Sequence, residues 1–507
     1  MRLAANQKLI LGPPGCGKTT RSLNLVSEAL KDGYEPDRIA FVSFTRKAIL
    51  EATDRACKQF DITSNTLPYF RTVHSMCFRA LKVSKADMMD KNSYKELGDV
   101  LGYKFEGTFD ESETGLPTGD ERGDQLLFLD NFARITCKSL KETWENANSG
   151  LDWYELERLS KTLVEFKKAK GLLDYTDLLC RFVERGSRLP VKIAIVDEAQ
   201  DLSVLQWRVL QVAFSGCDRV YIAGDDDQSI YKWSGADIHT FLSLEGEKEV
   251  LHKSYRLTRA VYSRALRIIS DVPDRFDKPF SPRDSDGSVD SLPAIEYAVI
   301  QPEETTMILV RNVYLLSRVQ NMLKGQGHPF VGRHGYSSIK KDHVDAITCW
   351  EALQKGSTIR VKRIQNMYDH MTLGTYLARG AKAKMAAEEP DLMLNQEALK
   401  KEYGLLRYAI WHEALEGMEL SMRAYYLSIM HSGRKITETP KITIQTIHGV
   451  KGGEADHVIL LPDMSRRTYD AFQASPDDEH RVAYVAVTRA KERLSIILPS
   501  SQRAYTY

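Results

Sequence analysis

The sequence predicts an α/β protein with two separate parallel sheets, and three observations carry that expectation. Seven short apolar runs end in turn residues: KLILGPPG, RIAFVSFT, KIAIVDEAQ, RVYIAGDDDQ, TMILVRN, KITIQTIHG and HVILLPD. Runs this short, apolar without alternation, suit strands buried on both faces, and the amphipathic segments between them supply crossover helices. The runs fall into two sets, Leu9 to Ala223 and Met307 to Leu498, which predicts two sheets rather than one. The 507 residues amount to about three or four domains, more than one core can hold together.

Composition bounds the class. Hydrophobic residues make up 43% and charged residues 27%, ordinary globular usage that excludes collagen-like, disordered and disulfide-scaffold proteins. The 70 Lys and Arg nearly cancel the 69 Asp and Glu, so a polyanion must be held by a local groove rather than a global field. The seven cysteines are scattered and never form a C-x-x-C pair, which disfavours a zinc ribbon or an iron–sulfur site and fits a reducing compartment. No apolar stretch approaches the ~20 residues of a membrane span, so a cytoplasmic, unanchored protein is expected.

Two stretches interrupt the strand pattern. The first, 83–171, holds the polar span EGTFDESETGLPTGDERGD, expected as a loop, followed by helix-like DQLLFLDNFARI and YELERLSKTLVEFKKA. The second, 340–435, has apolar residues at helical spacing in NQEALKKEYGLLRYAIWHEALEGMELSMRAYYLSIM. Both read as helical insertions.

Chemistry enters at the first run. Gly12-Pro13-Pro14-Gly15-Cys16-Gly17-Lys18-Thr19 is G-x-x-x-x-G-K-[ST], placed after a strand-like run and before the helix-like TTRSLNLVSEAL. The glycines let successive N–H groups turn inward around phosphate oxygens, and the helix N-terminus adds its dipole. Lys18 is expected on the β- and γ-phosphates and Thr19 on Mg²⁺, with Thr20 among the nucleotide-binding residues. The run KIAIVDEAQD then delivers Asp197 and Glu198 at a strand's C-terminal end, where open α/β sheets put ligands. Asp197 suits the metal and Glu198 the attacking water; two acids there also serve as a helix N-cap. A third run ends in acids followed by Gln228, a neutral side chain able to sense a γ-phosphate.

GPPGCGKT, IVDEAQD and AGDDDQSIYKWSGA, in that order, resemble motifs I, II and III of the superfamily 1 helicases of the UvrD/PcrA/Rep type. FVSFTRKA resembles motif Ia, RTVHSMCFRAL motif Ib, LHKSYRLT motif IV, ITIQTIHGVKGGEADHVIL motif V and HRVAYVAVTRAKERL motif VI. The resemblance implies two RecA-like P-loop core domains with two helical insertions. The first core is expected over 1–82 and 172–249, its insertion over 83–171, the second core over 250–339 and 436–507, and a shortened insertion over 340–435.

The resemblance also implies residue roles. Arg256 and Arg489 would be arginine fingers lent by the second core to ATP held by the first, Glu454 would contact the ribose, and Tyr255 would flank the base. Family members carry a glutamine about twenty residues upstream of the P-loop glycines that reads adenine; here eleven residues precede Gly12, so either Gln7 or Asn6 serves instead or base selectivity is relaxed. Single-stranded DNA is expected on Phe44, Thr45 and Arg46, Thr72 and His74, Tyr231 and Trp233, and Thr446 and His448. Aromatic faces there stack bases without reading sequence; core packing is the other fate of an aromatic beside a strand.

The implied activity is ATP- and Mg²⁺-dependent translocation on single-stranded DNA, 3′ to 5′, with unwinding of duplex junctions in replication or repair. Arg46 stands where motif Ia usually has Asn, and Ser234 where motif III usually has Arg. Ser234 and the short second insertion support an alternative, an ATP-switched DNA-binding regulator or loader of a partner nuclease or replication protein. The stretch 356–386 holds six Lys and Arg against one acid, which suits duplex or strand phosphates, although a solvated helix face leads because the segment lies outside every motif.

Overall fold

A computed structural model describes residues 1–44, 46–106, 108–109, 117–119, 121–147 and 149–507. Residues 107, 110–116 and 120 of the expected polar loop, and Thr45, lie outside the described residues.

Each of the seven apolar runs forms a strand. The first sheet contains β1 (Gln7–Leu11), β2 (Ile39–Ser43), β3 (Phe70–Thr72), β4 (Ile193–Asp197), β5 (Arg219–Gly224) and β6 (Glu247–Val250), in the spatial order β3-β2-β4-β5-β1-β6. The second contains β7 (Ser288–Leu292), β8 (Thr306–Val310), β9 (Phe330–Val331), β10 (Ile442–Thr446), β11 (Ala455–Leu461) and β12 (Ala490–Ile497), ordered β9-β10-β8-β11-β12-β7. Every pairing in both sheets is parallel. β2 and β4 are buried at every position, as continuous apolar runs covered on both faces must be.

Register decides which loops meet. β1 and β5 pair Leu11 with Gly224, and β2 and β4 pair Ser43 with Asp197. The segments that begin at Gly12, Phe44, Glu198 and Asp225 therefore leave the same edge of one sheet, beyond the strands' carboxyl ends.

Both helical insertions form with cores of their own. The first comprises helices Lys91–Leu101, Arg122–Ile135, Leu140–Ala147 and Trp153–Lys170 around Leu97, Leu126, Leu156 and Leu159. Its entry and exit pair, Met89 N–H donating to Leu173 O at 2.8 Å and Leu173 N–H to Asp87 O at 2.8 Å. The second packs Lys341–Gln354, Val361–Asp369, Ala381–Ala386, Gln396–Lys401, Trp411–Ala414 and Leu420–His431 around Trp350, Tyr368 and Tyr426. A two-residue ribbon, Ile359–Arg360 with Met393–Leu394, adds strand pairing where none was expected.

The chain divides into two compact units, Met1–Gly287 with Asp470–Thr488, and Ser288–Tyr469 with Arg489–Tyr507. The sequence put 250–287 and 470–488 with the second sheet, and the structure groups both with the first. The reason is local: 250–287 gives the second sheet no strand, and its helix Arg259–Ile269 lies against helix Pro476–Val487. The polar segment Asp284–Glu304 contains the edge strand β7. No helix among the described residues is long and apolar enough to cross a membrane.

Candidate active site

The loop after β1 closes as the motif requires. Gly15 and Gly17 take positive φ of 71° and 84°, conformations costly for a residue with a Cβ. A Cβ on Gly12 would stand 2.4 Å from Cys16 Sγ, and one on Gly15 2.3 Å from Arg256 Cβ, so these positions are also fixed by space. Helix Lys18–Lys31 follows, and Lys18, buried, folds its ammonium back to Gly12 O at 2.7 Å and Pro13 O at 3.2 Å. Burial opposes that charge, yet the neighbouring acidic groups of Cys16, Asp225, Glu198 and Asp197 hold the Lys18 pKa above its ordinary value.

Thr19 Oγ1 donates to Asp197 Oδ2 at 3.2 Å, while Asp197 Oδ1 is buried with no hydrogen-bond partner. Burial, reinforced by the Glu198 charge, pushes the Asp197 carboxyl up to about 7. A buried carboxylate with one orphaned oxygen beside a threonine hydroxyl is a donor set of oxygens that suits Mg²⁺. Glu198 takes a positive φ of 52°, a left-handed conformation costing about 1–2 kcal/mol for such a residue. Its Oε2 accepts from Gln200 Nε2 at 2.5 Å.

After β5, Gln228 Nε2 donates to Asp225 Oδ2 at 2.7 Å. Asp225, Asp226 and Asp227 are all buried, and Lys278, 1% exposed, forms ion pairs with each of them. Arg275 adds a two-pronged contact to Asp227 at 2.6 and 2.9 Å. Despite burial, Lys278 and then Lys18 hold the Asp225 carboxyl below its ordinary range, whereas burial leaves Asp226 above it. Three carboxylates this close resemble a cation site in outline, but the lysine already occupies their centre. Arg481 ties in the late helix, donating to Asp226 O at 3.1 Å and Asp274 O at 2.9 Å.

Arg256 and Tyr255 lie on the P-loop's own unit. Tyr255 N–H donates to Gly15 O at 2.9 Å, Ser254 Oγ to Pro14 O at 2.7 Å, and Arg256 Nη1 reaches Thr488 O at 3.4 Å. This corrects the expectation that Arg256 comes from the second core. The Tyr255 ring is exposed. Arg489 belongs to the second unit, buried with Nη1 on Gly453 O at 3.1 Å, and Glu454 beside it pairs with Lys491 at 3.8 Å.

Gln7 is not brought to the loop. It opens β1, roughly 13 Å of strand away from Leu11, and its amide is held by Leu3 N–H at 2.7 Å, Met1 O at 3.4 Å and Glu245 O at 2.5 Å. Asn6 likewise donates to Asp218 O.

The residues expected on DNA divide by burial. Phe44, 5% exposed, is part of the core and stacks on Tyr231 with centroids 5.4 Å apart; Tyr231 meets Trp233 edge-on at 6.3 Å, and Trp233 is 46% exposed. Core packing thus accounts for Phe44, while Trp233 presents a ring to solvent. Thr72 caps helix Val73–Ala80, accepting from Ser75 N–H. His74 is buried against Tyr175, and desolvation drops its pKa to about 4. Arg46 is exposed at the start of helix Arg46–Phe60. In the second unit, Thr446 ends β10 and accepts from Gly449 N–H at 3.3 Å, with His448 half-buried in the turn. Ser234 is buried and bonds Tyr231 O at 2.9 Å, closing the turn that carries Trp233.

In the basic stretch, Arg363 pairs with Asp345, Lys382 donates to Asp369 O and Lys384 to Glu402 O, which favours the solvated-face account. Sequence reading missed Gln200, Asp225, Arg275 and Lys278. The signal for the cations was the run of acids at a strand end, which demands positive charge, but nothing local says that it comes from 50 residues downstream.

Residues 1–249 match the UvrD/REP helicase N-terminal domain, and residues 351–501 match the UvrD-like helicase C-terminal domain. The chain is similar to the ATP-dependent DNA helicase Rep of Buchnera aphidicola, 26% identical over 303 residues that cover 53% of this chain and 42% of that protein. It is 24% identical over 327 residues to the putative ATP-dependent DNA helicase YjcD of Bacillus subtilis, covering 59% and 41%. Against the ATP-dependent DNA helicase PcrA of Staphylococcus aureus it is 25% identical over 297 residues, covering 53% and 39%. These matches span about two-fifths of each relative's length.

Proposed function

Because this chain belongs to the UvrD/REP helicase family, we propose that it hydrolyses ATP to move along single-stranded DNA, 3′ to 5′, and to open duplex junctions. The observation that carries the reading is the pairing of Thr19 with Asp197 at 3.2 Å, with the second Asp197 oxygen unpartnered, beneath a loop whose lysine is held ready by backbone carbonyls.

In this reading the loop's N–H groups and Lys18 bind the triphosphate, and Thr19 and Asp197 hold Mg²⁺. When bound, the metal neutralises charge on the terminal phosphates. Glu198 orients the attacking water and accepts its proton, while Gln228 senses the terminal phosphate. Arg256, fixed against Gly15, meets charge that spreads over the transferring group. Arg489 and Glu454 keep the roles that motif resemblance implies, as do Arg46, Thr72, Trp233, Thr446 and His448 toward the strand.

Purified chain is assayed for ATP hydrolysis with and without single-stranded DNA, and for unwinding of 3′-tailed and 5′-tailed duplexes. Strong stimulation by DNA and opening of the 3′-tailed substrate alone are expected. Hydrolysis indifferent to DNA removes the motor reading. Stimulated hydrolysis with no unwinding favours the ATP-switched regulator that Ser234 and the short insertion suggest.

A further inference from the structure

Gln200 lies in the turn that follows Glu198 and is fully buried, yet no motif role covers it. Its amide uses both ends. Nε2 donates to Glu198 Oε2 at 2.5 Å and to Asp201 Oδ2 at 3.3 Å, while Oε1 accepts the N–H of Asp225 at 3.0 Å. Asp225 in turn accepts from Gln228 at 2.7 Å and pairs with Lys278 at 3.0 Å. A continuous polar chain therefore runs from Glu198 through Gln200 and Asp225 to Gln228.

Two further features show that the chain is built for this amide. A Cβ on Gly224 would stand 2.7 Å from both Gln200 Oε1 and the Phe241 ring, so the glycine that ends β5 leaves room for the carbonyl as well as for the ring. Ser229 Oγ donates to Gln200 O at 3.1 Å, fastening the backbone of one turn to the other. Glu198 meanwhile sits at a positive φ of 52°, a conformation that persists only where surrounding contacts over-determine it.

We propose that Gln200 is a positioning residue for ATP hydrolysis: its amide holds the Glu198 carboxylate at a fixed place relative to Gln228, so that the group acting on water and the group reading the terminal phosphate share one frame. The proposal rests on the ATPase reading above. Gln200 touches neither nucleotide nor water in this scheme. It acts by restricting where Glu198 points, which matters only when the reacting geometry is reached.

The test is steady-state ATP hydrolysis with saturating single-stranded DNA by the full chain and by Gln200→Met, which nearly keeps side-chain size and removes all three side-chain hydrogen bonds. Equilibrium binding of a non-hydrolysable ATP analogue is measured alongside. The expected result is a kcat lower by about 10- to 100-fold, the range seen when supporting hydrogen bonds are removed from a site, with analogue Kd within about twofold of wild type. That split marks an interaction made in the transition state alone. Gln200→Glu, which keeps the acceptor for Asp225 and loses the donor to Glu198, is read by the same criteria if the methionine variant does not fold. Unchanged kcat overturns the inference and leaves the ATPase reading standing. Parallel loss of turnover and analogue binding, or failure of both variants to fold, assigns Gln200 a structural part and also overturns it. A wild-type chain that neither binds nor hydrolyses ATP removes the underlying reading, and the inference with it.

Discussion

The ammonium of Lys278 lies 3.0 Å from the carboxylate of Asp225, at the centre of three consecutive buried aspartates that end the strand beside the P-loop. Burial works against Lys278, yet those carboxylates raise its pKa above the ordinary lysine value. Replacing it by an uncharged, unbranched side chain strands negative charge in the interior. Lys278→Met is expected to lower unfolding free energy by about 3–5 kcal/mol, read from urea midpoints at constant m-value. A loss below about 1 kcal/mol would mean that Arg275 alone neutralises the cluster.

Lys18 and Glu198 separate binding from chemistry. Lys18→Ala is expected to abolish hydrolysis by weakening triphosphate binding. Glu198→Gln is expected to retain ATP and DNA binding and to lower turnover by at least about 100-fold. Analogue-binding titrations beside turnover assays check both.

Trp233 and Phe44 form a matched pair of aromatic deletions. Trp233→Ala is expected to cost less than about 1 kcal/mol of stability, to leave basal hydrolysis intact, and to raise roughly tenfold the DNA concentration that half-activates it. Phe44→Ala is expected to cost about 3–5 kcal/mol because it empties a core position. Thermal melts and DNA-activation curves of the two variants check this; the opposite ranking would make Phe44 the stacking face.

Gly15 carries two constraints at once. Gly15→Ala places a Cβ 2.3 Å from Arg256 Cβ at a φ of 71°, so the loop or the 254–256 segment must shift. Turnover is expected to fall with a stability loss of about 1–3 kcal/mol. Wild-type kinetics would show that the loop yields freely.

His74 gives a pH signature. Its folded pKa of about 4 lies below the unfolded value of 6.5, so the unfolded chain takes up a proton first on acidification. The stability lost through this residue begins as pH falls below 6.5 and is complete below 4, reaching about 3 kcal/mol. His74→Gln is expected to shallow the decline between pH 6.5 and 4.5 in urea melts; a decline identical to wild type's would assign the acid sensitivity elsewhere.

The sequence revealed what repeats a physical pattern within a few residues. β1, β2, β4 and β8 read as strands because burial on both faces demands unbroken apolar runs, and the Gly12–Thr19 loop reads as a phosphate cradle because its glycines and flanks are contiguous. Five strands went unread, and four of them lie at sheet edges: Glu247–Val250 and Ser288–Leu292 carry charged or polar residues toward solvent, and Phe70–Thr72 and Phe330–Val331 are too short to stand out; the fifth, Ala490–Ile497, is interior but opens with the charged residues Lys491, Glu492 and Arg493. Phe44 could not be sorted from Trp233 because composition beside a strand does not tell a covered ring from an open one. Lys278 and Arg275 were invisible for another reason. Their partners lie about fifty residues earlier, and only tertiary structure relates the two.

The helix Pro476–Val487 belongs to the unit that begins at Met1, although the residues on either side of that excursion belong to the other unit. The backbone consequently crosses from one unit to the other three times, after Gly287, Tyr469 and Thr488. A fragment ending at Gly287 would lack Arg481, which donates to Asp226 O, and the helix Pro476–Val487 that packs on Arg259–Ile269. The excursion that supplies this helix ends at Thr488, and the next residue, Arg489, already belongs to the other unit.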